Sequence, residues 1–279
     1  LARGGRGKGV AAGMTGMPNN PLPLAGRRTL VTGASGDIGR ALALGLARAG
    51  ADIALHHCAM PDAATAVATE VVALGRRAQV LEADFTRPGA ARALAGAVLD
   101  DGPVDILISN AAVERRSDWT AINPDDFASM VSVNFAAFLD LAAVLAPPMA
   151  SRGWGRIIAT GSVMAARPRA ETIVYASLKA AQACAVRALA RELGGSGVTV
   201  NVISPGAVET ARMADLYARP DFRAIVTAKL PLGRPALPAD CAGPVVMLCS
   251  DAGGYVTGAN IPIDGGWTAG DAPAPPVRP

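Results

Sequence analysis

The sequence predicts a single-domain α/β fold built on a doubly wound parallel sheet, and two observations lead to that prediction. Short runs rich in β-branched residues alternate with longer amphipathic runs rich in Ala and Leu, which is the pattern of successive βαβ units. Apolar residues make up 51% of the 279 residues and charged residues 18%, a composition that favours an extensive buried core. No internal repeat or linker divides the chain, and a doubly wound sheet commonly needs this length.

The alternating runs give the order of the elements. Strands are predicted at residues 28–33, 52–56, 78–82, 104–109, 155–160, 198–203 and 260–263. Helices are predicted at residues 37–49, 61–75, 88–100, 124–146, 173–193 and 238–250, with a less regular helical segment at 208–230. We expect a flexible leader over residues 1–24, a folded domain over 25–270 and a flexible Pro-rich tail over 271–279.

Charge and cysteine content exclude several classes of partner. The formal net charge is only +3, and Arg3, Arg6 and Lys8 lie in the Gly-rich leader without interleaved aromatic residues, so nucleic-acid binding is not indicated. The four cysteines are scattered and show no metal-ligand spacing to the only two histidines, His56 and His57. This pattern is typical of reduced thiols in a cytoplasmic protein and predicts no metal site.

The sequence offers no obvious membrane anchor. The longest apolar stretch, residues 135–150, is interrupted by Asp140 and by Pro147 and Pro148, so no run of about 18 uncharged apolar residues is present. The basic leader lacks a continuous apolar segment and is not expected to act as a signal peptide. We therefore expect a cytoplasmic protein that acts on a small molecule, with no membrane partner.

A glycine-rich segment follows the first predicted strand and opens a helix. It reads Thr32-Gly33-Ala34-Ser35-Gly36-Asp37-Ile38-Gly39. Glycine allows a tight turn and the close approach of a pyrophosphate, while free N–H groups of the first helical turn attract phosphate charge. Such turns also occur for purely structural reasons, but the strand-to-helix position favours dinucleotide binding. The candidate cofactor contacts are Gly33, Ser35, Gly36, Asp37, Ile38 and Gly39.

Three polar residues in the second half of the chain form a candidate catalytic group. Tyr175 and Lys179 lie four residues apart at the start of a predicted helix, so their side chains share one face. Ser162 follows the predicted strand 155–160, at the edge where a parallel sheet places ligands. Without Ser162, the Tyr and Lys spacing alone would indicate a helix surface.

Together these motifs resemble the short-chain dehydrogenase/reductase family over roughly residues 26–268. The family's glycine turn is matched at Thr32, Gly33 and Gly39, with Asp37 in place of the middle glycine. Its catalytic asparagine, serine, tyrosine and lysine correspond to Asn134, Ser162, Tyr175 and Lys179. The resemblance implies a Rossmann-like sheet and an NAD(P)-dependent enzyme that moves a hydride between the nicotinamide and a carbonyl or alcohol.

The resemblance also implies further cofactor contacts. These are Asp84 and Phe85 beside the adenine, Asn110 and Ala111 after the fourth strand, and Pro205, Gly206, Val208 and Thr210 near the nicotinamide. Ser109 and Ala112 depart from the residues that usually flank Asn110 in the family. Asp37 could instead cap the helix that it opens.

The resemblance assigns each catalytic residue a role. Tyr175 is the general acid and base, and Lys179 with an oxidised nicotinamide would lower its pKa by about two to three units. Ser162 would stabilise the charge on the substrate oxygen, and Lys179 and Tyr175 would also contact the nicotinamide ribose. Asn134 would position a water, although it could be a core asparagine that only bridges helix backbones. Other polar residues of the same helix, Ser177, Gln182 and Arg187, are expected at its surface or in a subunit interface.

The cofactor prediction rests on the end of the second strand. NAD-preferring sites usually place an acidic residue there, about 20 residues beyond the glycine turn. His57 occupies that position here, and no carboxylate follows until Asp62. Gly36 stands where many NADP-preferring relatives have an arginine, which Arg40 could partly replace. The sequence therefore allows NADP or NAD and favours NADP.

Substrate identity and assembly are less constrained. We expect residues 207–232 to form a mobile lid whose basic residues could attract an anionic substrate, although a solvated helix face would have the same composition. These residues are Arg212, Arg219, Arg223 and Lys229. Sugar acids, polyols and 3-oxoacyl groups remain open as substrates, as does a non-catalytic dinucleotide-binding or scaffold subunit. The resemblance implies a homotetramer.

Overall fold

A computed structural model describes residues 22–270, and a seven-stranded parallel sheet forms its centre. The strands are β1 (Arg28–Val31), β2 (Asp52–His57), β3 (Ala78–Glu82), β4 (Ile106–Ser109), β5 (Gly155–Thr160), β6 (Val198–Pro205) and β7 (Asn260–Ile263). Their order in the sheet is β3-β2-β1-β4-β5-β6-β7. Strand order therefore reverses between β1 and β4, and this is where a parallel sheet binds its ligand.

The helices cover both faces of the sheet. They are α1 (Asp37–Arg48), α2 (Pro61–Ala73), α3 (Ala90–Asp100), α4 (Pro124–Val131), α5 (Ala137–Ser151), α6 (Ile173–Leu193), α7 (Ala214–Tyr217), α8 (Pro220–Thr227) and α9 (Ala242–Cys249). A π-helical turn, Ser132–Ala136, joins α4 to α5. Single 3₁₀ turns, Ala211–Met213 and Pro238–Cys241, precede α7 and α9. The prediction of a doubly wound α/β sheet is confirmed.

Two hydrophobic cores lie on opposite faces of the sheet. One contains Phe138 and Leu141 of α5 and Val186 of α6. The other contains residues of α1 and α9, including Leu42 and Val245. Because helices cover both faces at the centre of the sheet, the central strands β4, β5 and β6 are buried along their whole length.

Helix α5 continues past the point at which the sequence predicted its end. The predicted helix stopped at residue 146, before Pro147 and Pro148, but α5 extends to Ser151. Pro147 is exposed, so water can satisfy the carbonyl that loses its partner. Met149, one residue after the prolines, is completely buried, and its packing favours the continued helix.

Leu24, which was predicted to lie in the flexible leader 1–24, is part of the fold. It is completely buried in the core beside α1, and its N–H donates to the carbonyl oxygen of Ala49 at 2.8 Å. Residues 1–21 of the predicted leader and the predicted tail 271–279 lie outside the described residues.

Two helical stretches, Pro124–Ser151 and Ala170–Ser196, are long and apolar enough by length and composition to cross a membrane. Both contain charged residues, Asp140 and Lys179 among them, so neither is a run of about 18 uncharged apolar residues, and the prediction that no such run is present stands. Both stretches pack against the sheet and supply buried residues, Leu141 and Val186 among them, to its core. Core helices of soluble proteins pass the same test, so these stretches are weak evidence for a membrane span.

Candidate active site

Lys179 lies at the centre of the candidate catalytic group and is almost completely buried. Its Nζ donates to the carbonyl oxygen of Thr160, the last residue of β5, at 2.6 Å. The same nitrogen lies 5.5 Å from the ring centroid of Tyr175, one helical turn earlier on α6. Burial lowers the pKa of Lys179 to about 8, because the charged form loses solvation.

Ser162 is placed beside Tyr175 by the end of β5. It has extended backbone, and its Oγ accepts the N–H of Met164 at 3.1 Å, which fixes the side-chain orientation. The Ser162 hydroxyl lies close enough to Tyr175 to act on the pKa of its phenol, which it lowers. The structure therefore brings together Ser162, Tyr175 and Lys179, which are separate in the sequence.

The protein raises the pKa of Tyr175 to about 12. Burial of the phenol is the main cause and the carboxylate of Glu114 the second, while Ser162 and Arg212 act in the opposite direction. The ammonium group of Lys179 donates to Thr160. The expectation that Lys179 together with an oxidised nicotinamide lowers the pKa of Tyr175 stays a prediction for the enzyme with cofactor bound.

Asn134 lies in the π-helical turn, and its side chain is bonded to the loop after β4. Its Nδ2 donates to the carbonyl oxygen of Val113 at 2.8 Å, and its Oδ1 accepts the N–H of Val113 at 3.1 Å. Its side chain thus holds a loop backbone, which agrees with the bridging alternative. Its main-chain oxygen faces α6 and Gln182, and the prediction that Asn134 positions a water stays a prediction.

Gln182 was expected at the helix surface, and this expectation was wrong. It is buried, its Nε2 lies 3.4 Å from the main-chain oxygen of Asn134, and its Oε1 lies 3.5 Å from Nζ of Lys179. Tyr175, Lys179 and Gln182 follow an i, i+4, i+7 spacing, so they share one face of α6. That spacing was the sequence signal that could have identified Gln182.

The glycine turn is closely packed. Gly33 has φ +64°, and a Cβ on Gly39 would lie 2.1 Å from the carbonyl oxygen of Gly33, so no side chain fits at residue 39. Gly36 precedes α1 in extended backbone and provides no side-chain cap. Within the described chain, the N–H groups of Asp37 and Ile38 have no protein acceptor. An open helix terminus beside two tightly packed glycines fits a pyrophosphate group.

The two histidines at the end of β2 have different contacts. His56 Nδ1 accepts the N–H of Gly33 at 3.1 Å, and its Nε2 lies 3.0 Å from the carbonyl oxygen of Ala83. Burial lowers the pKa of His56 to about 4, so the ring is neutral with its proton on Nε2. His57 is also buried, and its Nδ1 accepts the N–H of Met60 at 3.3 Å.

Asp84 and Phe85, which were predicted to lie beside the adenine, follow β3 at the same edge of the sheet as His56. Phe85 stacks on His56 with ring centroids 4.3 Å apart. The carboxylate of Asp84 accepts from the hydroxyl and N–H of Thr86, and these bonds lower its pKa. Arg40, considered as a phosphate ligand, instead forms an ion pair with Glu70 of α2, with 3.1 Å between Nε and Oε1.

The turn is joined to β4 through the Thr32 hydroxyl. Its Oγ1 accepts the N–H of Asn110 at 2.9 Å and that of Ala111 at 3.0 Å. The side chain of Asn110 donates back to the carbonyl oxygens of Thr32 and Gly33 at 3.1 and 3.3 Å. These bonds fix the two strands that flank the change in strand order.

The segment after β6 borders the same site. Pro205 ends β6, and the N–H of Gly206 donates to Ile263 of β7 at 3.0 Å. Val208 forms an isolated bridge with Ala236. Thr210, which precedes the 3₁₀ turn Ala211–Met213, lines the same cavity as Tyr175.

Asp37 does not cap α1, contrary to the alternative considered from the sequence. Helix α1 has no side-chain cap, and Asp37 is its first residue. The Oδ2 atom of Asp37 accepts the N–H of Ala211 at 2.8 Å. The glycine turn is thereby joined to the segment after Thr210.

A cavity of about 430 Å³ lies above the catalytic group. Its floor includes Ser162, Tyr175 and Lys179, and α7 and α8 form one wall. Glu114, which the sequence analysis did not single out, is the only acidic lining residue in the described chain. Its carboxylate pairs with Arg116 at 2.9 Å and with Arg212 at 3.8 Å. The volume suits a small substrate.

Comparison with known proteins agrees with this geometry. The sequence profile of the family described as Enoyl-(Acyl carrier protein) reductase matches residues 33–268. The chain is also 36% identical over 245 residues to 2-dehydro-3-deoxy-D-gluconate 5-dehydrogenase of Pseudoalteromonas atlantica, covering 88% of this chain and 96% of that protein. The chain belongs to the short-chain dehydrogenase/reductase family.

Two solved structures of this dehydrogenase family show the same fold. A 3-oxoacyl (acyl-carrier-protein) reductase from Agrobacterium tumefaciens with NADP bound has a TM-score of 0.86 and 34% identity, covering 90% of this chain and 98% of that one. A gluconate 5-dehydrogenase from Burkholderia cenocepacia in complex with NADP and tartrate has a TM-score of 0.83 and 30% identity, with the same coverage. The protein is an NAD(P)-dependent oxidoreductase that acts on a carbonyl or alcohol.

Replacing Glu114 by Gln is expected to shift the pH dependence of alcohol oxidation to lower pH. Oxidation requires the Tyr175 phenolate, and the Glu114 carboxylate raises the pKa of Tyr175, so its removal lowers the midpoint at which kcat/KM rises with pH. The measurement is the pH profile of kcat/KM in both proteins. Glu171→Gln removes a nearby carboxylate that does not affect Tyr175, and should leave the midpoint in place. An unchanged midpoint in Glu114→Gln would contradict the assignment.

Proposed function

We propose that the protein catalyses the reversible oxidation of a secondary alcohol in a small polyhydroxy carboxylate, with Tyr175 as the general acid and base. The observation that carries this proposal is the cavity whose floor presents Ser162, Tyr175 and Lys179 beside the open glycine turn. The intact catalytic group favours an enzyme over a non-catalytic subunit. Activity of the purified protein with a nicotinamide cofactor tests that choice.

Each residue of the group has a chemical role in this proposal. In the reduction direction the Tyr175 hydroxyl donates its proton to the substrate carbonyl oxygen, and the Ser162 hydroxyl donates a hydrogen bond to the same oxygen. When bound, the nicotinamide supplies or accepts the hydride. Lys179 would hold the ribose of the nicotinamide cofactor, and it contributes positive charge 5.5 Å from the ring of Tyr175. Asn134 positions a water through its main-chain oxygen.

The charges around the cavity support a carboxylate on the substrate. Four exposed cations line it, whereas Glu114 is the only lining carboxylate in the described chain. These cations are Arg116, Arg169, Arg212 and Lys229. The ion pairs of Arg116 and Arg212 share the single charge of Glu114, and Arg169 pairs with Glu171 at 3.7 Å. No acidic group of the described chain pairs with Lys229. A net positive cavity mouth attracts anionic substrates. The related gluconate 5-dehydrogenase was solved with tartrate, a small hydroxy acid.

A 3-oxoacyl thioester is the second candidate substrate. The lid wall of the cavity includes the apolar side chains of Leu216, Phe222, Ile225 and Val226, which suit an acyl chain. The Agrobacterium relative is named as a 3-oxoacyl reductase. Turnover of oxoacyl thioesters in preference to hydroxy acids would favour this candidate.

The cofactor preference that we propose is NADP over NAD. His57 stands where a carboxylate would repel the 2′-phosphate, and the two solved relatives described above contain NADP. His57 is buried and its Nδ1 is engaged with Met60, so Nε2 is its available donor. Because Arg40 is paired with Glu70, it gives little support to this preference.

We also propose a cytoplasmic homotetramer. Exposed apolar side chains on α4, α5 and α9 support assembly, since burial of such groups stabilises subunit contacts. They include Phe127, Leu139 and Met247. Light scattering that shows only monomer at micromolar concentration would contradict the assembly.

Replacing Tyr175 by Phe is expected to lower turnover by at least about a hundredfold, since the substitution removes the acid and base but little volume. Steady-state assays with both substrates at saturation measure the effect, and fluorescence titration should show that the cofactor still binds. Tyr255→Phe is the matched control, because Tyr255 is fully exposed. Near-normal turnover of the Tyr175 variant would remove it from its assigned role.

Replacing Lys229 by Ala is expected to raise the KM for a hydroxy acid roughly two- to tenfold, because a cation at the cavity mouth is lost. The KM for the corresponding uncharged polyol should stay constant, so the ratio of the two values isolates the charge. Arg219→Ala is the matched control, since Arg219 belongs to the lid but is paired with Asp221 and does not line the cavity. An equal rise in the KM for the hydroxy acid and the KM for the polyol would contradict a carboxylate substrate.

Replacing His57 by Asp is expected to change the preference from NADP towards NAD by roughly tenfold or more, because a carboxylate accepts from ribose hydroxyls and repels the 2′-phosphate. The measurement is kcat/KM for each cofactor. His57→Asn is the matched control, because its side-chain oxygen can accept the Met60 N–H without adding a charge. It should change the ratio of kcat/KM for NADP to kcat/KM for NAD less than His57→Asp does. A parent enzyme that already prefers NAD, or an unchanged ratio in His57→Asp, would refute this interpretation of β2.

A further inference from the structure

Asp37 is a residue of the glycine turn that contacts a distant part of the chain. The matching position in the family pattern is a glycine, which has no side chain. Here Oδ2 of Asp37 accepts the N–H of Ala211 at 2.8 Å, across a separation of 174 residues. This side-chain bond is therefore a departure of this chain from the family pattern.

Ala211 is the first residue of the helical part of the lid, residues 207–232. It opens the 3₁₀ turn Ala211–Met213, and Thr210 before it provides no side-chain cap. In the described chain, the bond to Asp37 is the hydrogen bond that joins the glycine turn to this lid. Arg212 and Met213, which follow directly, line the cavity. The bond to Asp37 thus fixes the position of Ala211, from which the wall of the cavity formed by the lid begins.

The remaining contacts of the lid do not involve the glycine turn: some join its own parts, and others join it to Glu114, Ala236 and Gly265. Arg223 of α8 forms two bonds with Glu209, at 2.6 and 3.0 Å, and its Nε donates to the carbonyl oxygen of Tyr217 at 3.1 Å. Glu209 is in turn bonded to Ala236 through its N–H at 2.8 Å. These bonds join α8 to α7 and to Glu209. A contact that fixes the position of Ala211 therefore also restricts the movement of α7 and α8.

The charge of Asp37 has a separate effect at the same place. Its carboxylate lies at the N-terminal end of α1, where the helix attracts anions. A fixed negative charge there opposes a phosphate group that binds the same helix end. The acceptor function and the charge are chemically separable, since an amide oxygen accepts a hydrogen bond without carrying charge.

We propose that Asp37 is a positioning residue with two effects: its acceptor oxygen holds the lid against the glycine turn, and its charge weakens dinucleotide binding. The proposal rests on cofactor binding at the glycine turn, as assigned under the proposed function. With this arrangement, the side of the cavity formed by the lid is held in place before the cofactor binds. The cofactor then dissociates readily after turnover.

Two substitutions separate the effects. Asp37→Asn keeps an acceptor oxygen and removes the charge, so the Kd for NADPH should fall roughly two- to tenfold while the lid stays protected from exchange. Asp37→Gly removes both, so the Kd should fall similarly, amide exchange over residues 211–217 should become faster, and the KM for substrate should rise with little change in kcat. Fluorescence titration measures the Kd, and hydrogen exchange is measured on the cofactor-free protein.

Asp125→Asn and Asp125→Gly are the matched controls, because Asp125 is an exposed carboxylate in the first turn of α4. Neither should alter the Kd or lid exchange. An unchanged Kd in Asp37→Asn overturns the charge effect, and unchanged exchange over residues 211–217 in Asp37→Gly overturns the lid effect. A parent protein that does not bind NADPH would refute the assigned cofactor site instead, and the exchange measurement would still test the lid contact.

Discussion

The buried ammonium group of Lys179 is the constraint on which the arrangement of the site depends. A charge that is removed from water needs a partner, and the carbonyl oxygen of Thr160 at the end of β5 provides it at 2.6 Å. This bond fixes α6 against the carboxyl edge of the sheet. Tyr175, one turn earlier on α6, is thereby placed beside Ser162, which follows the same strand. Gln182, one turn later, contacts the main chain of Asn134. A single strand end thus determines the position of four polar side chains, three from α6 and one from the segment that follows β5.

Most of the fold was predictable because it follows from local patterns. Each strand lies within a few residues of its predicted position. A strand of a parallel sheet is buried on both faces, so it appears in the sequence as a short continuous apolar run. Two boundaries were wrong for reasons that lie outside the local sequence. Helix α5 continues through Pro147 because Met149 packs in the core, and Leu24 belongs to the fold because it fills a space beside α1. Long-range packing of single side chains determined both.

The site was predictable where motif spacing defines it, and unpredictable where distant segments meet. Ser162, Tyr175 and Lys179 could be identified because Tyr175 and Lys179 share a helix face, Ser162 follows a predicted strand, and the three together resemble the family pattern. The contacts of Asp37 with Ala211 and of Glu114 with Arg212 join segments far apart in the chain, and no local pattern records them. The pKa of Tyr175 could not be inferred from its neighbour in the helix, because burial exceeds the effect of any single charge. Gln182 is the exception, since its helical spacing was visible in the sequence.

The neutral imidazole of His56 gives the molecule a built-in limit to its acid tolerance. The ring can bridge Gly33 and Ala83 only while one nitrogen is unprotonated, and its pKa of about 4 lies below that of an exposed histidine. A histidine with a lowered pKa contributes stability above the unfolded value of about 6.5, and that contribution is lost as the pH falls towards 4. Acidification towards pH 4 would therefore weaken the contacts that hold the glycine turn to β2. A residue without a role in hydride transfer thus contributes to how acidic an environment the enzyme tolerates.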